Sequence, residues 1–206
     1  MTTLYYIHDP MCSWCWGFKP VWDKLNKQLP DNINIQYLLG GLAKDTDKTM
    51  PVSLQKTLQE TWHRIQKEIP GTKFNFDFWT KNTPKRSTYP ACRAVIAARK
   101  QLPSAEYKMI DKIQSAYYLQ ALNPSDPDVL TLLAEEINLD TTLFNKDISS
   151  DGTQSKLNTE IQLSRELGAQ GFPSLVLSHK NQHYFIGLDY NNTDYMNRSI
   201  SEIIEV

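Results

Sequence analysis

The residues of this sequence best suited to chemistry are two cysteines three positions apart, Cys12 and Cys15. They lie in Asp9-Pro10-Met11-Cys12-Ser13-Trp14-Cys15-Trp16, directly after an apolar, strand-like run, Leu4-Tyr5-Tyr6-Ile7. The segment that follows places Val21, Trp22, Leu25 and Leu29 on one helical face. A C-x-x-C where a strand passes into a helix is suited to dithiol–disulfide exchange. Residues three apart on a helical turn bring their β-carbons within about 5–6 Å, slightly wider than a disulfide wants and easily tightened. The first turn also offers unpaired N–H groups and the positive end of the helix dipole. Both favour a thiolate at Cys12, the species that attacks disulfides. Cys15, one turn deeper, is expected to be less exposed and to serve as the resolving thiol.

The plainer alternatives are a pair of inert thiols or half of a zinc site. Tetrahedral zinc takes four ligands, and the sequence has no second C-x-x-C. Its one close histidine pair, His179 and His183, flanks what reads as a hairpin turn, so no metal site is expected. Cys92 lies within the apolar helical stretch Ala91-Cys92-Arg93-Ala94 and reads as a structural, buried thiol. His8 precedes the motif and reads as a hydrogen-bonded strand-end histidine. Asp9, the nearest carboxylate, reads as a turn starter before proline.

The elements that must position the dithiol follow from periodicity. After the turn Pro30-Asp31-Asn32, the segment from Ile33 to Leu39 alternates and ends apolar, a strand that closes a βαβ unit ended by Gly40-Gly41-Leu42. Pro20 falls inside the motif's helix and should kink it. From Asp45 to about Gly168 only helical periods appear. Leu54, Leu58, Trp62, Ile65 and Ile69 form one stripe, ended by Pro70-Gly71. The aromatic stretch Phe74 to Trp79 has no clear period. Ser87 or Thr88 is placed to cap a helix carrying Ala91, Ala94, Val95 and Ala98. Further helices are expected around Met109–Ala121, Val129–Ile137 and Gln154–Leu167, with a short helical turn at Leu143-Phe144. Strands return at 174–177 and 182–186 with Lys180-Asn181 as a tight turn, and a last helix runs from Asp194. The fold class is therefore α/β, a mixed sheet flanked by helices and interrupted by a large all-helical insertion. The expected division is 1–42 with 153–206 as one discontinuous domain and 43–152 as the inserted helical domain. An insertion of that length must carry its own core.

Composition excludes little but points consistently. The 206 residues have a net charge of −1, with 40% hydrophobic and 22% charged residues, ordinary for a globular protein. No basic surplus suggests nucleic acid or an anionic membrane as partner. Met1-Thr2-Thr3 leads straight into the first strand with no signal-like segment, which makes the cytoplasm the expected location. A three-cysteine chain whose close pair is C-x-x-C suits a reducing compartment, where disulfides are transient or catalytic.

The strand, D-P-x-C-x-W-C-W, the βαβ unit, the helical insertion and Gly171-Phe172-Pro173-Ser174 before a hairpin together resemble the DsbA-like branch of the thioredoxin superfamily. They are most similar to the FrnE-like cytoplasmic protein-disulfide isomerases. The resemblance covers nearly the whole chain. It implies a thioredoxin-like fold and thiol–disulfide oxidoreductase or isomerase activity through a mixed disulfide. Cys12 would be the nucleophile and Cys15 the resolving thiol. Pro173 would follow a cis peptide bond and sit against the sulfurs, and Phe172 would offer its backbone to an extended substrate. Trp14, between the cysteines, would line the substrate rim, whereas Trp16 would pack into the core. The substrates implied are disulfide-containing proteins or peptides, or glutathione as co-substrate, with no bound cofactor. Some relatives use a buried acid to assist deprotonation; no residue of the sequence identifies itself as that acid. A second class of the same architecture, the kappa-type glutathione transferases and chromene-carboxylate isomerases, keeps one serine or cysteine at the position of Cys12. Those reactions need no second thiol, so Cys15 argues for the first class.

Overall fold

The structure is a computed structural model that describes residues 2–205; Met1 and Val206, the outermost residues of the expected discontinuous domain, lie outside it. The chain runs β1 (Thr2–His8), α1 (Ser13–Gln28), β2 (Ile33–Leu39), α2 (Val52–Glu68), α3 (Phe78–Lys81) and α4 (Tyr89–Gln101). It continues α5 (Ala105–Tyr118), α6 (Pro127–Glu136), α7 (Thr141–Ile148), α8 (Asp151–Glu166), β3 (Ser174–His179), β4 (Gln182–Ile186) and α9 (Asp194–Glu205). The aromatic stretch without a period contains the single turn of α3. The expected helix from Gln154 begins earlier, at Asp151, because Ser150 caps it through Thr153 N–H.

The sheet order is β2-β1-β3-β4, with β1 and β2 parallel and β3 antiparallel to both β1 and β4. Lys180 and Asn181 both have positive φ, 48° and 62°, as a two-residue hairpin turn requires. Register fixes the site. Ile7 pairs with both Leu38 and Ser174, so the end of β1 lies level with the start of β3. The turn into α1 and the Phe172-Pro173 segment therefore meet at one end of the sheet.

Alternation along β1 sends its side chains to two layers. Leu4 and Tyr6 pack with Phe18, Trp22 and Leu25 of α1 and with Met196 and Ile200 of α9. Ile7 packs on the other face with Leu38, Val176 and Leu167. The helical block has a third core around Trp62, which is fully buried among Phe74, Phe78, Trp79, Tyr117 and Tyr118. That core reaches Met11 and Leu39, so the helical block packs against the end of the sheet that carries the cysteines. Buried charge ties the same junction together. Glu160 of α8 accepts from Leu39 N–H at 3.1 Å and pairs with Arg99 of α4, which also holds Glu106 of α5 at 2.6 Å. Among the described residues no helix is long and apolar enough to cross a membrane.

Candidate active site

Cys12 is the N-cap of α1, with an extended backbone at φ −81° and ψ 118°. Its N–H donates to Asp9 C=O at 3.0 Å and its C=O accepts from Trp16 N–H at 3.1 Å, which closes the first turn. Its sulfur donates to Phe172 C=O at 3.3 Å across 160 residues of sequence. Cys12 is 6% exposed and Cys15 has no exposure; both are free thiols, as is Cys92. Burial, and then the neighbouring Cys12 sulfur, push the Cys15 thiol well above its ordinary pKa. The two sulfurs thus differ as the spacing predicted, one at the helix mouth and one sealed beneath it.

The Phe172–Pro173 peptide bond is cis, as the resemblance implied, and Pro173 is buried against this end of the sheet. The seat of Phe172 is set by Gly40, just past β2. A Cβ on Gly40 would lie 2.0 Å from two ring carbons of Phe172, so the glycine is what lets the ring lie there. No motif in the sequence announces this pairing.

Trp14 is half-buried. Its ring meets Tyr190 edge-on at 5.3 Å, and the Arg64 guanidinium of α2 lies 5.0 Å from its centroid. Trp14 therefore forms a lip between the helical block and the loop before α9. Trp16 is also only half-buried: it stacks on Tyr118 at 5.5 Å and donates to Lys73 C=O at 3.0 Å. It lines a cleft of about 350 Å³ with Lys19, Pro20 and Leu119, on a side that includes neither cysteine. Ser13 accepts a 3.0 Å bond from Trp62 Nε1, which fixes the first turn of α1 to the aromatic core. Burial raises the Tyr6, Tyr118 and Tyr190 hydroxyls, so neutral phenols surround the dithiol.

Two neighbours of the motif differ from their sequence readings. Asp9 does start the turn, accepting from Met11 N–H at 2.8 Å, but it is also wholly buried. Its carboxylate accepts from Leu42 N–H at 2.7 Å and from the Thr88 hydroxyl at 2.7 Å, and the Cys92 sulfur lies 3.6 Å away. Cys92 is buried as expected, but it faces a carboxylate. The Asp9 carboxylate is thus both turn starter and buried acceptor, and the turn reading did not anticipate its burial. Two of its partners, Thr88 and Cys92, enter from 79 and 83 residues downstream, which local pattern does not encode.

His8 was expected to be hydrogen-bonded. It is fully buried, stacks on Tyr6 at 5.1 Å, and neither ring nitrogen has a partner in the protein. Burial, with Arg99 nearby, lowers its pKa from 6.5 to about 3. The unfolded chain therefore binds a proton on acidification that the folded chain refuses until about pH 3. Stability should fall as pH drops below 6.5, by about 1.4 kcal/mol per pH unit from this group. Asp9, raised by burial, works in the opposite sense between its ordinary value and its folded one. Urea unfolding against pH should thus give a shallower acid slope for His8→Phe than for the wild type; parallel curves would refute it.

A family model described as thioredoxin matches residues 5–198. The chain belongs to the thioredoxin family. Its likeness to DsbA-like proteins extends over the whole architecture. A crystal structure of a candidate protein disulfide isomerase from Nitrosomonas europaea superposes with a TM-score of 0.85 at 25% identity, covering 98% of this chain and 96% of that one. The cytosolic disulfide reductase DsbM from Pseudomonas aeruginosa, also solved with GSH, superposes with a TM-score of 0.78 at 23% identity, covering 98% of each chain. Among curated proteins, the ClpXP adapter protein SpxH of Halalkalibacterium halodurans is 26% identical over 182 residues, 86% of this chain and 59% of that protein. The chain thus spans about three-fifths of the length of that curated relative.

Proposed function

We propose that this thioredoxin-family chain is a thiol–disulfide oxidoreductase of the reductase or isomerase kind, with Cys12 as nucleophile and Cys15 as resolving thiol. The observation that carries the reading is the 3.3 Å contact from Cys12 Sγ to Phe172 C=O at the mouth of α1. It sets the attacking sulfur beside a backbone edge able to pair with an extended disulfide substrate. The Cys12 thiolate attacks one sulfur of a substrate disulfide, and the other sulfur leaves as a thiol. The mixed disulfide removes negative charge from beside Cys15, one of the causes that keep Cys15 protonated. Cys15 then ionises, attacks Cys12 Sγ and expels the second substrate thiol. Two electrons have passed to the substrate, and Cys12 and Cys15 are left as a disulfide.

Trp14 and Phe172 would flank the substrate and buried Pro173 would back it. The substrate class is a protein or peptide disulfide, with glutathione able to return the dithiol to its reduced state. The cytoplasm is the compartment in which that cycle runs. Cys15 argues against the glutathione-transferase and isomerase classes, which need one thiol or hydroxyl.

The relatives named as adapters favour a second reading, in which the fold docks a partner protein and the dithiol is secondary. Equilibration in glutathione buffers separates the two. The first reading expects an intramolecular Cys12–Cys15 disulfide that forms and opens reversibly between about −270 and −120 mV. Thiols that stay reduced across that range would leave the docking reading alone.

A further inference from the structure

Helix α2 is fixed against the helix that carries the dithiol at two points. Trp62 Nε1 donates to Ser13 Oγ at 3.0 Å. Gly17 of α1 leaves no room for a side chain: a Cβ there would stand 2.7 Å from Ile69 and 3.0 Å from Ile65. Trp62 and Ile65 form the buried face of α2, so Arg64 between them is left largely exposed. Its guanidinium lies 5.0 Å from the centroid of Trp14, within cation–π range. Tyr190 meets the same ring edge-on, and Asn191 Nδ2 donates to Glu68 C=O at 3.3 Å, which ties that loop to α2. An exposed Arg–Glu pair four positions apart on a helix ordinarily contributes little. Arg64 differs in what it touches and in what it leaves free. Its Nε donates to Glu68 at 2.9 Å, whereas Nη1 and Nη2 have no hydrogen-bond partner in the protein among the described residues. Those two nitrogens form the fork that grips a carboxylate through parallel bonds. Asp189, the acid next to Tyr190, is occupied by the N–H groups of Asn191 and Asn192 at 2.8 and 3.1 Å.

We propose that Arg64, braced on Trp14, selects disulfide substrates that carry a carboxylate within a residue or two of the disulfide. This selection rests on Cys12 being the attacking thiol. Trp14 follows Cys12 by two residues in the first turn of α1, so a substrate held on the Cys12 sulfur lies along the rim that Trp14 and Arg64 form. An extended chain advances about 3.3–3.6 Å per residue, which lets a carboxylate one or two residues from the disulfide meet the guanidinium fork. Tyr6, Tyr118 and Tyr190 around the dithiol are neutral phenols and give no charge by which to sort substrates. The covalent step is unaltered: the Cys12 thiolate bonds to one substrate sulfur, the substrate S–S bond breaks, and the other sulfur leaves with that electron pair. Because the contact is exposed, it changes rates by a modest factor and is screened by salt. Glutathione and an acidic residue beside a peptide cystine both present such a carboxylate.

The test compares the second-order rates at which the reduced protein opens three small disulfides: dithiodipropionate (anionic), hydroxyethyl disulfide (neutral) and cystamine (cationic). Each rate is divided by that of the same disulfide with mercaptoethanol, which removes its intrinsic reactivity. In low salt the wild type should favour the anion, and Arg64→Gln should lower the anion-to-cation ratio by about threefold to tenfold. Arg64→Lys should keep most of the ratio because the charge remains, and about 0.5 M salt should erase most of the wild-type preference. A general change in Cys12 reactivity, or partial unfolding, moves all three rates alike and leaves the ratio in place. A ratio unchanged in Arg64→Gln, or lost equally in Arg64→Lys, would overturn the inference. Failure of the wild type to react with any of the three would instead remove Cys12 as the attacking thiol. Glutathione disulfide and a peptide cystine flanked by Glu then identify the source of the carboxylate. Slowing of the first alone by Arg64→Gln assigns it to glutathione, slowing of the second assigns it to acidic peptides, and slowing of neither counts against the inference.

Discussion

Cys12→Ser is expected to lower disulfide turnover by at least about a thousandfold, the scale on which removing a nucleophile acts. A serine hydroxyl is not ionised near neutral pH and forms no mixed disulfide, so the step that starts the cycle disappears. The loss should be clean. Cys12 caps α1 without a side-chain capping bond, and serine is a preferred capping residue. Stability should therefore change by less than about 1 kcal/mol, in either direction. Insulin reduction at matched folded fraction is the measurement. Turnover within tenfold of wild type would place the chemistry elsewhere.

Gly40→Ala is expected to have the largest effect among residues that take no part in the chemistry. Its new Cβ would stand 2.0 Å from the Phe172 ring, far inside contact distance, so the ring or the Gly40 backbone must move. The Gly40 backbone is held by its 2.7 Å bond to His8 C=O, which leaves the ring as the part that yields. Overpacking of this kind costs about 1–3 kcal/mol. Because the Phe172 carbonyl accepts from Cys12 Sγ, moving the ring also shifts the edge against which a substrate would lie. Peptide exchange should slow by about tenfold or more through lost orientation. Phe172→Ala in the Gly40→Ala background should recover much of the lost stability, because the clash is gone. Additive losses in the double variant would show that the two residues do not share the site.

What was legible in the sequence was what neighbouring residues decide together. The second strand runs from Ile33 to Leu39 as its alternation indicated, and Lys180-Asn181 makes the hairpin turn. The helical stretch from Asp45 to Gly168 has no strand of its own, only the isolated bridge from Thr49 to Lys85. The C-x-x-C lies where a strand passes into a helix, with Cys12 at the N-cap of α1 and Cys15 in its first turn, as the pattern indicated. Long-range partners were not legible. Asp9-Pro10 has the local signature of a turn whether or not the carboxylate is later buried, and its burial depends on Thr88 and Cys92. Thr88 has the signature of a helix cap, yet its hydroxyl serves another segment. His8 lies buried with no partner, which runs against the rule that buried polar groups are paired and so could not be inferred from it. Gly40-Gly41 marked the end of a unit, and the reason for glycine there is an aromatic ring that arrives 132 residues later in the chain, at Phe172.

The proposed division of labour between two like residues, attack by Cys12 and resolution by Cys15, is probed by the Cys15→Ser variant. With the nucleophile intact and the resolving thiol gone, a peptide disulfide should leave half of itself bound. Intact-mass measurement should find one peptide per chain, attached at Cys12, released by added dithiothreitol and absent from Cys12→Ser. The adduct should persist at least about a hundredfold longer than in the wild type, where Cys15 clears it. A Cys15→Ser protein that turns over like the wild type, or that carries its adduct on Cys92, would contradict the account.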